Sequence, residues 1–238
     1  VTVAAWLRDQ GLHAPEVLGV DETDGLVLLE DLGDDLLSLR LQAGELELPL
    51  YRLVLDAMLR WQSVTPPDFL PPFDDATLID QVSLFLEHGC PDGDPGTFRQ
   101  AWAEALRRTY LGPPVFLHRD LHAANLLEVA GAEGLWRLGI IDFQDAFVGP
   151  ALYDLVSLIE DVRRDVGAET HEVLVSGWRA ANPRLDDAGF EAAWTVLGAQ
   201  RAMRILAVVE RLATVGGKPG YRALAPRATA HLRRHLQH

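Results

Sequence analysis

Cysteine is all but missing from this sequence. Cys90 is the only one in 238 residues, so no internal disulfide can form, which fits a reducing cytoplasm. It lies in a Gly/Pro/Asp-rich stretch, residues 88–96, and reads as an unreactive loop thiol. Long apolar runs are missing too: none approaches the length that spans a bilayer, and no signal peptide is visible. Basic residues are scarce. The 21 lysines and arginines face 35 acidic residues, a formal charge of −14. No basic field is therefore available to attract a nucleic acid or an anionic membrane. The rest of the composition, 48% hydrophobic and 24% charged, suits a globular chain long enough to bury a core without staples.

The patterning then sets an order of elements. Val3, Trp6 and Leu7 share one face of a helical segment over 1–10, with Gly11 placed as its C-terminal cap. Residues 16–20 and 26–30 read as two short strands around the polar turn 21–25. Leu50, Leu53, Val54, Ala57, Met58 and Trp61 follow the spacing of an amphipathic helix. A proline-rich linker follows, then helices are expected over 76–88 and 97–110. Short β-like runs come next, at 115–118, 125–129 and 136–141, the last two joined by a turn at 130–134. After Pro150 the pattern is helical almost to the end. This order predicts an α+β chain dominated by its helical part.

One segment carries chemistry. His118-Arg119-Asp120-Leu121-His122-Ala123-Ala124-Asn125 matches the kinase catalytic-loop pattern H-R-D-L-x-x-x-N at all five fixed positions. Asp120 is placed to accept or orient the hydroxyl proton of a phosphoryl acceptor, and Asn125 can offer its amide oxygen to Mg²⁺ beside phosphates. Taken singly, Asp120 could merely cap a turn, and Asn125 could merely tolerate a left-handed backbone. An apolar run then ends in Asp142, 22 positions after Asp120. A carboxylate at a strand end, paired with Asn125, suits Mg²⁺, which takes one or two carboxylates plus phosphate oxygens. The acidic balance does not exclude a nucleotide bound in this way, because the metal supplies positive charge locally. His122 lacks neighbours at metal-ligand spacing.

These residues resemble the aminoglycoside phosphotransferase and choline-kinase branch of the protein-kinase-like fold. Ile141-Asp142-Phe143-Gln144-Asp145, with Gln144 where protein kinases carry glycine, is usual in that branch. Gly149-Pro150, residues 153–158, Gln200-Arg201 and Gly217-Lys218-Pro219 are similar to bacterial anomeric kinases of N-acetylmuramate and N-acetylglucosamine. The resemblance implies ATP and Mg²⁺ as cofactors and an amino sugar as substrate. It further implies that Glu30, Asp31 and Leu32 form the hinge that binds adenine, and that Asp154, with His118, supports the catalytic loop. Independently, only 12 positions separate Asp142 from Asp154, too few for the activation segment that holds a peptide, so a small-molecule acceptor is expected. Asp31-Leu32-Gly33 precedes the catalytic loop, the wrong order for a metal motif, and otherwise reads as a turn.

Arg201 falls on the apolar stripe of a long helix over 187–213, with Arg204 beside it. A guanidinium there needs a carboxylate partner in the core or a cleft with a substrate in it. Both possibilities stay open. Lysine is nearly absent: Lys218 is the only one, near the C-terminus, and no strand lysine for ATP phosphates is visible. The chain reads as residues 1–33, a remnant of an N-terminal lobe with the hinge, and residues 34–238, a helical lobe with the catalytic loop and metal site. It starts within or just after a helix that would follow the missing lysine, and as such it is expected to be weakly active or inactive alone. The alternatives are a catalytically silent binding module, or a kinase of another small acceptor such as an aminoglycoside, choline or homoserine. A monomer is expected.

Overall fold

Burial decides where each element stops. The computed structural model describes residues 1–237. Helix α1 (Thr2–Asp9) buries Ala4 and Leu7 and is followed by Gly11 at φ +79°, the left-handed backbone that ends a helix without a Cβ clash. Strands β1 (Val17–Asp21) and β2 (Leu26–Leu29) form an antiparallel hairpin with Val20 opposite Val27. Apart from Val17, which packs against the core, its apolar side chains stay exposed, Leu26 and Leu28 at 62% each.

Helices α2 (Leu37–Gln42), α3 (Glu47–Gln62), α4 (Asp75–His88) and α5 (Pro95–Arg108) follow. The predicted stripe of α3 is buried from Leu50 through Trp61, apart from Leu53, which is only partly covered. Asp74 and Asp94 cap α4 and α5, each side chain accepting from the backbone N–H three residues on. Strand β3 (Pro114–Leu117) is gripped between α1 and α3: Trp6 stacks on Phe116 at 4.9 Å and Trp61 meets it edge-on at 5.9 Å.

β3 pairs antiparallel with β6 (Phe147–Pro150), and β4 (Leu126–Glu128) with β5 (Leu138–Ile140). With β1–β2, the described residues hold three separate two-stranded sheets. Helices α6 (Leu152–Ile159), α7 (Ala168–Ala181), α8 (Asp187–Thr214) and α9 (Ala225–His235) complete the chain. Every residue of α6 is buried, and α8 packs on α4, α6 and α9. No helix of the described residues is long and apolar enough to cross a membrane.

Two elements differ from the sequence expectation. β6 was not anticipated, because Phe-Val-Gly-Pro reads locally as a turn and becomes a strand only through its partner β3. Trp136, expected in a strand, sits in a 3-10 turn (Gly134–Arg137), where its carbonyl oxygen lies 2.7 Å from Nδ1 of His13.

Candidate active site

The catalytic loop leaves β3 and turns at once. Arg119 has φ +69° and Asp142 has φ +65°, the only non-glycine residues among those described with left-handed backbone. Such conformations persist where surroundings enforce them. At Arg119 the enforcing group is Asp154, fully buried on α6. Its two carboxylate oxygens accept the backbone N–H of His118 at 2.8 Å and of Arg119 at 2.9 Å. Burial pushes the Asp154 carboxyl up to about 7, against the two amides and the guanidinium groups of Arg119 and Arg201, which favour its charge. His118 Nε2 donates to the Ile141 carbonyl at 2.9 Å, tying the loop to the residue before Asp142. Burial pushes this imidazole down, so it is a neutral donor. The Arg119 guanidinium lies over Phe73 and Phe147, at 5.1 and 4.4 Å, and donates to the Asp145 carbonyl and to Gln81.

Asp120, Asn125 and Asp142 converge. Asn125 sits in a 3-10 turn (Ala123–Asn125). Its Nδ2 donates to the Asp120 carbonyl at 2.9 Å, with Asp142 Oδ2 at 3.2 Å and Asp120 Oδ2 at 3.5 Å. Gln144 Nε2 donates to the other Asp142 oxygen at 2.6 Å. Burial alone would raise the Asp120 carboxyl, but the His122 ring, Arg163 and Arg201 outweigh it and hold Asp120 well below the usual carboxylate range. His122 is itself buried. Its Nδ1 accepts from the Ala124 N–H, and its Nε2 lies 3.2 Å from Asp120 Oδ2.

The donor set fits a hard divalent cation. With Nδ2 committed, Asn125 has Oδ1 left to offer, and Asp142 supplies a carboxylate. Among the described residues no three His, Cys, Asp or Glu side chains form a metal cluster. A cation here would need phosphate oxygens to complete its shell, as Mg²⁺ ordinarily does.

Asp142 also borders two cavities. One, of about 370 Å³, is walled by Val1, Pro15, Leu29, Phe69 and Phe143. The other, of about 320 Å³, is bounded by Asp120, Arg201 and Arg204, with Val208 and Leu212. The α8 stripe thus divides: Phe190 and Leu197 enter the core, while Ile205, Val208 and Leu212 wall the second cavity. Arg201 is 3% exposed, and it has no carboxylate within ion-pair distance among the described residues. Its Nε donates to Ser157 Oγ at 3.0 Å and its Nη1 to the Glu160 carbonyl at 2.9 Å. The Glu160 carboxylate in turn is met by His235 Nε2 at 2.9 Å, bracing α9 against α6.

At the expected hinge, the Glu30 carboxylate turns inward. It accepts from Arg8 at 2.9 Å and from the Glu16 N–H at 2.9 Å, and stands 3.2 Å from His13. Asp31 Oδ1 accepts the Gly33 N–H at 2.8 Å, an Asx turn, and Leu32 is buried against Gly139. The sequence singles out His122 and Gln144 as motif members but not their contacts with Asp120 and Asp142. It gives no sign of Arg163 or Glu160, which reach the site only through packing.

Comparison with known proteins agrees with this geometry. The model of the phosphotransferase enzyme family matches residues 1–188. An N-acetylmuramate/N-acetylglucosamine kinase from Caulobacter vibrioides is 36% identical, over 98% of this chain and 68% of that protein. One of the same name from Neisseria meningitidis is 31% identical, over 98% of this chain and 75% of that protein. Among solved structures, a choline/ethanolamine kinase family protein from Mesorhizobium loti superposes with a TM-score of 0.67 at 20% identity, over 99% of this chain and 76% of that one. A choline kinase from Streptococcus pneumoniae superposes at 0.65 and 17% identity, over 98% and 79%. The chain belongs to the phosphotransferase enzyme family and has the protein-kinase-like fold of its small-molecule kinases.

Proposed function

We propose that this chain is an ATP- and Mg²⁺-dependent kinase of a small acceptor hydroxyl, the anomeric hydroxyl of N-acetylmuramate or N-acetylglucosamine. The observation that carries the reading is the position of Asp142. It stands between two cavities and is linked through Asn125 to Asp120. A nucleotide in the cavity by Leu29 and an acceptor in the cavity by Asp120 would meet at that carboxylate. The relatives' printed names supply the acceptor.

In this reading Asp142 and Asn125 Oδ1 hold the cation, which when bound neutralises charge on the transferring phosphoryl group. Glu30, Asp31 and Leu32 present hinge backbone to adenine. Asp120 stays ionised, so it is a poor proton sink. Its role is to orient the acceptor hydroxyl by hydrogen bonding, which suffices for a loose phosphoryl-transfer transition state.

The test is Asp120→Ala in the full-length protein. Formation of sugar phosphate is expected to fall by ~10³-fold or more, while Mg²⁺-dependent ATP binding, measured by calorimetry, is retained. Unchanged turnover would overturn the assignment.

A further inference from the structure

Many arginines in this acidic chain sit against carboxylates. Arg8 meets Glu30, Arg40 meets Glu45, Arg164 meets Glu47 and Arg227 meets Asp165. In the acceptor cavity Arg201 and Arg204 lack such a partner, and Arg201 does so while buried. Arg201 is buried on α8 and anchored only by neutral oxygens, those of Ser157 and the Glu160 carbonyl. The half-buried Arg204, three residues on, has neither side-chain hydrogen bond nor ion pair among the described residues. Arg163, between α6 and α7, has a single carboxylate partner, Asp161, at 3.6 Å.

Removing a guanidinium from water without an anion is unfavourable, and a chain with 35 acidic residues has counter-ions in plenty. Yet no carboxylate comes within ion-pair distance of Arg201 or Arg204 among the described residues, although Asp120, Asp142 and Asp145 line the same cavity and Asp120, Asp161 and Glu160 act on Arg201 from farther off. The cations share the cavity's lining with apolar side chains, among them Val208, Leu212 and Leu224, and with Asp120, Asp142 and Asp145. The arrangement matches a ligand with three parts: a hydroxyl at Asp120, a ring over the aliphatic wall, and an anion at the arginines.

We infer that the cavity takes a sugar bearing a carboxylate substituent, and that Arg204, beside the fixed Arg201, reads that carboxylate. The inference rests on the amino-sugar reading above and sharpens it. N-acetylmuramate and N-acetylglucosamine share one ring and differ by the lactyl ether with its carboxylate, so the pair isolates the contact. Arg204 is the discriminating residue because two nitrogens of Arg201 are already committed, whereas its own fork is free to make a bidentate contact.

The experiment compares the two sugars on the full-length protein and on Arg204→Ala and Arg204→Lys, by calorimetric binding and by phosphate transfer. Thermal melting confirms that each variant is folded. Arg204→Ala is expected to weaken N-acetylmuramate by roughly 10- to 100-fold more than N-acetylglucosamine. Lysine restores part of the difference, because it keeps the charge and loses the fork. The preference for the carboxylate-bearing sugar also narrows as salt rises. Equal loss on both sugars, the result expected if the arginines clamp the transferring phosphate instead, overturns this inference and leaves the proposed function standing. No loss on either sugar does the same. Phosphate transfer to neither sugar by the unmodified protein overturns the proposed function, and this inference with it.

Discussion

The catalytic loop and the β1–β2 hairpin both approach Asp142, and they are held by opposite means. The loop is fixed from inside the core: Asp154, fully buried, takes two backbone N–H groups, and the neutral ring of His118 takes the Ile141 carbonyl. The hairpin has its own ladder and one partly exposed carboxylate, Glu30, which gathers Arg8, His13 and the Glu16 N–H. An unmet amide inside the core costs far more than one at the surface. The backbone is therefore tied most firmly at the loop between β3 and β4, and less firmly at the hairpin.

The sharpest test of this contrast removes the buried anchor. Asp154→Ala leaves two amides of a left-handed turn unpaired and is expected to cost ~3–5 kcal/mol in guanidinium unfolding. The same residue gives the protein a pH signature. Its folded pKa, about 7, lies above the ordinary value for an unfolded aspartate, so at intermediate pH the native state keeps a proton that the unfolded chain has released. Its contribution to stability therefore falls as pH rises from roughly 4 to 7, by up to about 1.4 kcal/mol per unit. Unfolding of wild type and Asp154→Asn at several pH values reads this directly: the gap between them narrows as pH rises. Parallel curves would show that Asp154 is ionised throughout, and that the loop rests on a fixed charge.

The loop was legible in the sequence because its chemistry demands fixed residue types at fixed spacing. His118, Asp120, Asn125 and Asp142 needed no tertiary information, and the α3 stripe needed only helical periodicity. β6 was not legible, because four residues ending in Gly-Pro take strand geometry only from β3. Nor was the state of Arg201. Its place on an apolar stripe was visible, but whether a carboxylate met it depended on α6, whose contribution is a hydroxyl and a main-chain carbonyl. Arg163 and Glu160 had no motif to announce them. Side chains that act through packing leave no spacing to read.

A middle effect is expected where the hairpin joins the rest. Glu30→Ala releases Arg8, His13 and the Glu16 amide together, but the site is partly wet, so a loss of about 1–2 kcal/mol is expected. The Glu16 N–H foremost, against a penalty from burial and helped by His13 and Arg8, holds the Glu30 carboxyl low. A depressed folded pKa contributes stability above the unfolded value and loses it as pH falls through the folded one. The destabilisation by Glu30→Ala should therefore shrink on acidification, opposite in sign to the Asp154 effect. Denaturant titrations at pH 3 and pH 7 distinguish the two.

The smallest effect belongs to the hairpin's own side chains. Leu28 is 62% exposed, whereas Leu117, at the entrance to the catalytic loop, is fully buried. By area alone Leu28→Thr should change unfolding by less than about 0.5 kcal/mol, and the β-branched replacement suits a strand. Leu117→Ala should cost about 2–5 kcal/mol through the cavity it leaves under His118. A ratio of at least about four between these two leucines is the quantitative form of the contrast. If Leu28→Thr instead cost more than 1 kcal/mol, the apolar face of the hairpin would be covered in solution. The region held least tightly here would then owe its order to whatever covers it, not to Glu30.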